Sequence, residues 1–316
     1  MSALHNAAAY GGKGWQPRQT TTRDELGDLW GACGQDSEWA PLKTVLLHRP
    51  GDELARLDDP NRAQLLDRID LLRLQAQHDA LARAYRDAGV TVHYVEPEDT
   101  PPPNLMFVAD LLFMTPEGAI LARPASSVRA GEERHIARRL AALGIPILRS
   151  VHGRATFEGA DAMWIDADTA LVADGLRTNP DGGQQVAATL AELGAETISV
   201  GLPYGAMHLM GTLRIADRDL AIAWPGRVPF AAVRALRERG FAVKFIPDET
   251  EAVHGFALNF VTLGPRKILM PAGNATTQAF YENLGIECLT VQVDELTKAA
   301  GAIGCLTGVL KRERIA

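Results

Sequence analysis

Five times along the chain a segment with helical spacing of apolar residues ends in glycine, and a run rich in β-branched residues follows at once. The copies are AYRDAG-VTVHYV, RRLAALG-IPILRS, ATLAELG-AETISV, ALRERG-FAVKFI and FYENLG-IECLTV, with glycines at Gly89, Gly144, Gly194, Gly240 and Gly285. Glycine takes the left-handed conformation that ends a helix, and a β-branched run suits a pleated, half-buried surface. By subtraction, successive glycines stand 55, 50, 46 and 45 residues apart, a period that marks a closed or stacked repeat architecture. Between them the pattern reads as a strand, a loop, two more short strands and a helix. MFVAD, DAMWI, GTLRI and FALNFV are the second-strand candidates, and AILAR, ALVA, LAIAW and KILM the third. A doubly wound sheet would show one strand per helix rather than about three, and the glycine fingerprints of dinucleotide and phosphate loops are missing. The pattern therefore predicts an α/β fold, a five-bladed pseudo-symmetric α/β propeller over residues 39–316, with KTVLLHRP completing the last blade. Residues 1–38 lack sustained periodicity and are expected to form a loosely ordered N-terminal arm.

Five-fold repetition brings equivalent loops to one end of a ring, so residues at equal offsets from the glycines should converge. Glu158, His208 and His254 each lie 14 residues after their glycine, Asp110 lies 21 after Gly89, and Cys305 lies 20 after Gly285. A thiol, an imidazole and carboxylates are the parts of a nucleophile, a base and an orienting acid. Taken singly, each has a plainer reading. Cys305 could be a small core residue, His208 a satisfied core histidine, and Glu158 a solvated loop residue. Their joint placement is what favours chemistry. His254 has only its offset in its favour and reads as a loop residue, while Cys33 and Cys288 read as structural.

Composition narrows the functional classes. The 316 residues are 47% apolar, enough for a large core, and 39 acidic against 32 basic residues give a net charge of −7. That balance offers no broad positive field for a phosphate backbone, which argues against nucleic acid as a partner. No secretory signal and no membrane-length apolar run is seen, so no membrane partner is expected. Three cysteines without metal-ligand spacing argue against a disulfide scaffold or a zinc site, and a reducing cytoplasm fits best. The sequence leaves a homo-oligomer open.

At the reactive positions the chain resembles the guanidino-modifying enzymes of the pentein superfamily: arginine deiminases, dimethylarginine dimethylaminohydrolases, arginine dihydrolases and amidinotransferases. The resemblance runs from about residue 38 to the C-terminus. SEWAPLKTVLLHRPG is similar to their opening strand, PNLMFVAD to the segment carrying a substrate-binding aspartate, and FEGAD to their glutamate motif. MHL and GAIGCLTGVL are similar to their histidine and terminal cysteine motifs. The resemblance implies Cys305 as nucleophile, His208 as general acid and base, Glu158 as the partner orienting His208, and Asp110 as a ligand of the guanidinium. It implies Arg129 and Arg177 as holders of the substrate carboxylate, with Arg123 a rival for Arg129, and Asn104 at a matching substrate-binding asparagine. A thiolate adding to the guanidino carbon would give a covalent thiouronium, released by water, with no metal or cofactor required.

Three departures bear on the substrate. Ala109 stands where many relatives carry arginine, Met210 stands where deiminases carry a second guanidinium-binding aspartate, and the glycine-rich loop before Cys305 lacks a basic residue. These changes point away from strict arginine deimination, leaving methylarginine hydrolysis and a dihydrolase reaction open. On a strand, Met210 would share a face with His208 and pack against a substrate methyl group. The expected function is thus a cysteine-dependent hydrolase of free arginine or N-methylated arginine, a small-molecule guanidino substrate. The alternatives are an amidinotransferase with an amine acceptor, and a non-catalytic propeller like certain ribosome-binding factors, which would lack the Cys, His and carboxylate set.

Overall fold

Among the described residues, fifteen strands form five three-stranded sheets, and each sheet repeats one order. The structure is a computed structural model describing residues 4–55 and 59–315. The first blade joins β15 (Gly308–Arg312), β1 (Leu42–Leu47) and β2 (Thr91–Tyr94). The second holds β3 (Leu112–Thr115), β4 (Gly118–Leu121) and β5 (Ile147–Ser150), and the third β6 (Ala162–Asp166), β7 (Thr169–Asp174) and β8 (Glu196–Gly201). The fourth holds β9 (Leu213–Asp217), β10 (Leu220–Ala223) and β11 (Ala242–Phe245), and the fifth β12 (Val261–Gly264), β13 (Lys267–Pro271) and β14 (Glu287–Val291). In every blade the first pair is antiparallel and the last pair parallel.

A parallel pair needs a crossover, and one helix per blade supplies it. These are α1 (Leu71–Asp87), α2 (Glu132–Ala142), α3 (Pro180–Glu192), α4 (Phe230–Glu238) and α5 (Ala275–Asn283). Their starts follow from local chemistry. Asp70 caps α1 by accepting from Arg73 N, and Asn179 caps α3 by accepting from Gly182 N, with Pro180 in the first turn where its missing N–H costs nothing. After each helix comes the expected glycine at positive φ, between 69° and 85° across the five. The strand after each glycine proves to be the last of its blade rather than the first of the next. It is the outer edge, half-exposed in β2, β5 and β11, whereas the central strands β4, β7 and β10 are buried along most of their length.

Apolar side chains pack between neighbouring blades, not within isolated ones. Phe113 and Ile120 of the second blade meet Trp164 and Val172 of the third, and Leu220 and Ile222 of the fourth meet Phe260 and Ile268 of the fifth. The ring closes where the two ends of the propeller region pair, with Leu42 opposite Arg312 and Val45 opposite Val309. KTVLLHRP thus forms the middle strand of the closing blade. The arm is largely exposed through residue 32, but Cys33 to Ser37 are buried, and Gly34 exchanges backbone hydrogen bonds of 2.9 Å with Leu310 and Arg312. Residues 1–3 of the arm lie outside the described residues.

Two strand expectations are corrected. MFVAD ends in a 3-10 turn at Val108–Asp110, and FALNFV is mostly loop, with β12 starting only at Val261. Both are mainly apolar, largely buried runs, and such runs carry no periodicity to tell a strand from a buried turn.

Candidate active site

The segments leading into the five inner strands gather at one end of the ring. Three short 3-10 turns, Val108–Asp110, Gly159–Asp161 and Leu209–Gly211, pack together, and the helical turn Ile303–Leu306 packs on the first of them. Asp110 closes the first turn, Glu158 and His208 stand immediately before the second and third, and Cys305 lies within the last. The repeat therefore delivers all four expected reactive residues to one place. His254, at the end of a short helix, is exposed and outside it.

Glu158 Oε2 lies 2.7 Å from His208 Nε2, a short charge-assisted contact. The other ring nitrogen, Nδ1, stands 3.8 Å from Asp110 Oδ1. Burial alone would depress the imidazole pKa, but the charges of Asp110, Asp161 and Glu158 outweigh it and push His208 up to about 9. Burial works the other way on Glu158. There the His208 hydrogen bond and the positive charges of His208, Arg129 and Arg177 prevail and hold it down at about 2. The pair is an imidazolium and a carboxylate at neutral pH. The Cys305 thiol is raised by burial and by Asp110, against the opposing pull of Asn259 and Arg214. It therefore stays protonated until a cation approaches.

Arg129 does not sit as expected. It is buried among three carboxylates: Nη1 donates to Asp110 Oδ2 at 2.6 Å and to Glu158 Oε2 at 3.3 Å, while Nε and Nη2 donate to Glu132 Oε2 at 3.0 and 2.8 Å. With its fork taken up in this way, it faces the site's own carboxylates rather than offering a free clamp to a ligand carboxylate. Arg177 does reach the pocket, half-buried, with Nη1 3.4 Å from Glu158 Oε1. Arg123 instead donates to Ala155 O and lies outside the pocket lining. Asn104 lines the pocket, tethered by Nδ2 to Ala63 O at 2.8 Å, with Oδ1 buried and unpartnered. Asp110 Oδ1 is likewise buried without a hydrogen-bond partner, 3.8 Å from His208 Nδ1, on a residue that lines the same pocket as Cys305. Both orphan acceptors suit a ligand rich in N–H donors.

Met210 lies in a 3-10 turn, not on a strand, so the alternation argument fails. It nevertheless borders a lobe shared with His208 and Cys305. Asp110, Glu158 and His208 bring one donor atom each to within 4.8 Å of one another, in outline a cation-binding set. The Arg129 guanidinium already lies against both of those carboxylates, supplying the positive charge a metal would bring.

Several contributors escaped the sequence reading. Asn259 holds Cys305: Nδ2 donates to Cys305 Sγ at 3.1 Å, and Oδ1 accepts from Gly304 N at 2.7 Å and Cys305 N at 3.3 Å. It lies 19 residues after Gly240, close to the offsets of Cys305 and Asp110, so the same five-fold count could have found it. Asp161, pushed up to about 6 by burial against the pull of His208, accepts from Leu209 N at 3.0 Å and pins the turn behind His208. Arg214 is buried near Cys305, drawn down to about 10 by burial, with Nε and Nη2 finding no partner among the described residues. No motif or spacing signals it. A side chain at Gly304 would overlap Arg214 Nη2, which explains the glycine before the cysteine.

Comparison with known proteins adds a second line of argument. Residues 68–310 match the family described as N,N dimethylarginine dimethylhydrolase, eukaryotic. A dimethylarginine dimethylaminohydrolase of Streptomyces coelicolor is 29% identical over 269 residues, covering 84% of this chain and 96% of that one. Among solved structures, the Pseudomonas aeruginosa dimethylarginine dimethylaminohydrolase, as a cysteine-to-serine mutant complexed with citrulline, superposes with a TM-score of 0.72 at 23% identity, covering 86% of this chain and all of that one. The N-terminal domain of a cyanobacterial arginine dihydrolase superposes with a TM-score of 0.74 at 21% identity, covering 85% of this chain and 98% of that domain. These two likenesses bear on the fold, a five-bladed α/β propeller.

Proposed function

The chain belongs to the dimethylarginine dimethylaminohydrolase family, hydrolases of the C–N bonds of amidines, and from that premise we propose that Cys305 attacks the guanidino carbon of free N-methylated arginine. The observation that carries the reading is the convergence of Cys305, His208 and Asp110 on one pocket, with Asp110 Oδ1 left unpartnered there. A guanidinium presents planar N–H pairs, and a buried carboxylate oxygen accepts them by charge-assisted bonds. Its positive charge, added to that of Arg214 and to the hydrogen bond donated by Asn259, favours the Cys305 thiolate at the moment the substrate binds.

The thiol proton leaves to solvent, and the thiolate forms an S–C bond to the guanidino carbon. Protonated His208, held by Glu158, gives its proton to the departing nitrogen as the C–N bond breaks and an alkylamine leaves. A thiouronium remains on Cys305. Neutral His208 next takes a proton from water, whose oxygen adds to that carbon, and the Cys305 thiolate departs from a ureido product. Arg177 and Asn104 are assigned to the amino-acid end, Arg177 to the carboxylate and Asn104 Oδ1 to the ammonium. Arg129 is assigned to holding Asp110 and Glu158 in place.

Incubation with arginine, N-methylated arginines and agmatine, with mass detection of products, tests the reading. Citrulline and an alkylamine are expected from the methylated substrates, and agmatine is expected to be poorer by about a hundredfold, because a paired guanidinium left without its carboxylate is costly. Agmatine turned over as fast as the free amino acid would remove the carboxylate role from Arg177.

A further inference from the structure

Past Cys305 and His208 the depression continues into a second lobe whose chemistry differs from that of the polar pocket. It encloses about 280 Å³, against about 30 Å³ for the pocket of Asp110 and Arg177. Met207, Met210, Trp224, Val253, Phe256 and Leu258 supply its walls, and no Asp or Glu is among its described lining residues. The polar groups that reach it are already engaged. Thr212 Oγ1 donates to Leu209 O at 3.0 Å, and Asn259 is tied to Cys305 and Gly304. Arg227 donates to Gly205 O at 3.0 Å and lies over the Trp224 ring, 4.3 Å from its centre. An ammonium or a free guanidinium nitrogen would find no carboxylate here, so an occupant gains from apolar contact.

Position identifies the occupant. His208 and Cys305 border both lobes. The guanidino carbon must meet Cys305 Sγ, and the nitrogen that leaves must meet the His208 proton. With the amino-acid end in the polar pocket, a substituent on the leaving nitrogen has the apolar lobe beside it. A methyl group is about the size of one water, roughly 30 Å³ of liquid volume, and would leave most of this lobe unfilled, forfeiting dispersion contacts along its walls.

We infer that the lobe receives an apolar group larger than methyl on the leaving nitrogen, so that the preferred substrates are Nω-alkyl or Nω-aralkyl arginines. The inference rests on the hydrolase reading above and narrows its substrate class. The chemistry is unchanged: the S–C bond forms, the C–N bond breaks with its electron pair on nitrogen, His208 supplies the proton, and the product is the longer primary amine.

The test measures kcat/KM of the full chain for Nω-methyl-, Nω-butyl- and Nω-benzyl-arginine, following citrulline and the released amine. A fully buried methylene is worth about fourfold, and the lobe is partly open, so butyl is expected to exceed methyl by about tenfold. Gly211 borders the lobe at ordinary φ with nothing within 4 Å of an added Cβ. Gly211→Leu should therefore lower the butyl-to-methyl ratio by tenfold or more, and Val253→Phe, at an exposed wall position, should lower it in the same direction. Turnover of the methyl substrate with butyl equal or worse would overturn the lobe assignment and leave the hydrolase reading standing. A ratio unmoved by both substitutions would also overturn it. No turnover of any guanidino substrate would sink the hydrolase reading, and the inference with it.

Discussion

Replacing Arg129 by methionine keeps most of the side chain's bulk and removes the cation that touches all three buried carboxylates at once. Asp110, Glu132 and Glu158 lie 2.6, 2.8 and 3.3 Å from its guanidinium, and all four side chains are no more than 5% exposed. Breaking a buried ion pair by deleting one partner costs about 3–5 kcal/mol, because the charge left behind stays desolvated. That is a large part of the total stability of an ordinary domain, about 5–15 kcal/mol. The loss should depend on pH in a definite sense. Burial already pushes Glu132 up to about 7 with Arg129 present, against an ordinary value of 4.5. Without Arg129 it rises further. A carboxylate raised in the folded state takes up a proton as pH falls, which relieves the cost, so the variant is weakened more at pH 8 than at pH 5.5. Equilibrium urea denaturation of both proteins at the two pH values reads the difference. A variant within about 1 kcal/mol of the parent at pH 8, with only a raised KM, would refute the account and return Arg129 to the substrate carboxylate.

Cys305→Ser should lose about a thousandfold or more in turnover while still binding substrate, because an unactivated hydroxyl is a poor nucleophile; unchanged activity, with Cys33 or Cys288 labelled by a guanidine-directed inactivator, would remove Cys305 from the mechanism. Asn259→Asp keeps an acceptor for the Gly304 and Cys305 N–H groups but sets a negative charge beside the thiol. The pH midpoint of Cys305 alkylation by iodoacetamide should therefore move up, whereas an unmoved midpoint would mean that Asn259 does not influence the sulfur. Because His208 is raised from 6.5 to about 9, kcat should fall on the alkaline side near pH 9 as the general acid is lost. The stability it contributes is complete below about pH 6.5 and lost as pH rises through 9; an alkaline limb unchanged by Glu158→Gln, which removes one of the three carboxylates raising it, would contradict this origin.

What the sequence determined by itself was the periodic part. Helix ends, glycines and β-branched runs are local signals, each written within a few residues, and their repetition counted five blades and pointed Asp110, Glu158, His208 and Cys305 to one end of the ring. Local signals also mislead locally. MFVAD and FALNFV are apolar but for Asp110 and Asn259, and a mainly apolar, largely buried run looks the same as strand or turn, so the segments that carry those two residues read as strands. Only the tertiary structure decided the partners of the charged groups. Arg129 lies 19 residues after Asp110 and Arg177 lies 19 after Glu158, so the two are indistinguishable as letters, yet one is enclosed by Asp110, Glu132 and Glu158 while the other lines the pocket. The apolar lobe likewise draws its walls from Met210, Trp224, Val253 and Phe256, parts of different turns and helices with no common spacing. A cavity is a property of surfaces brought together from distant parts of the chain, and the energy of a buried charge depends on neighbours that periodicity does not encode.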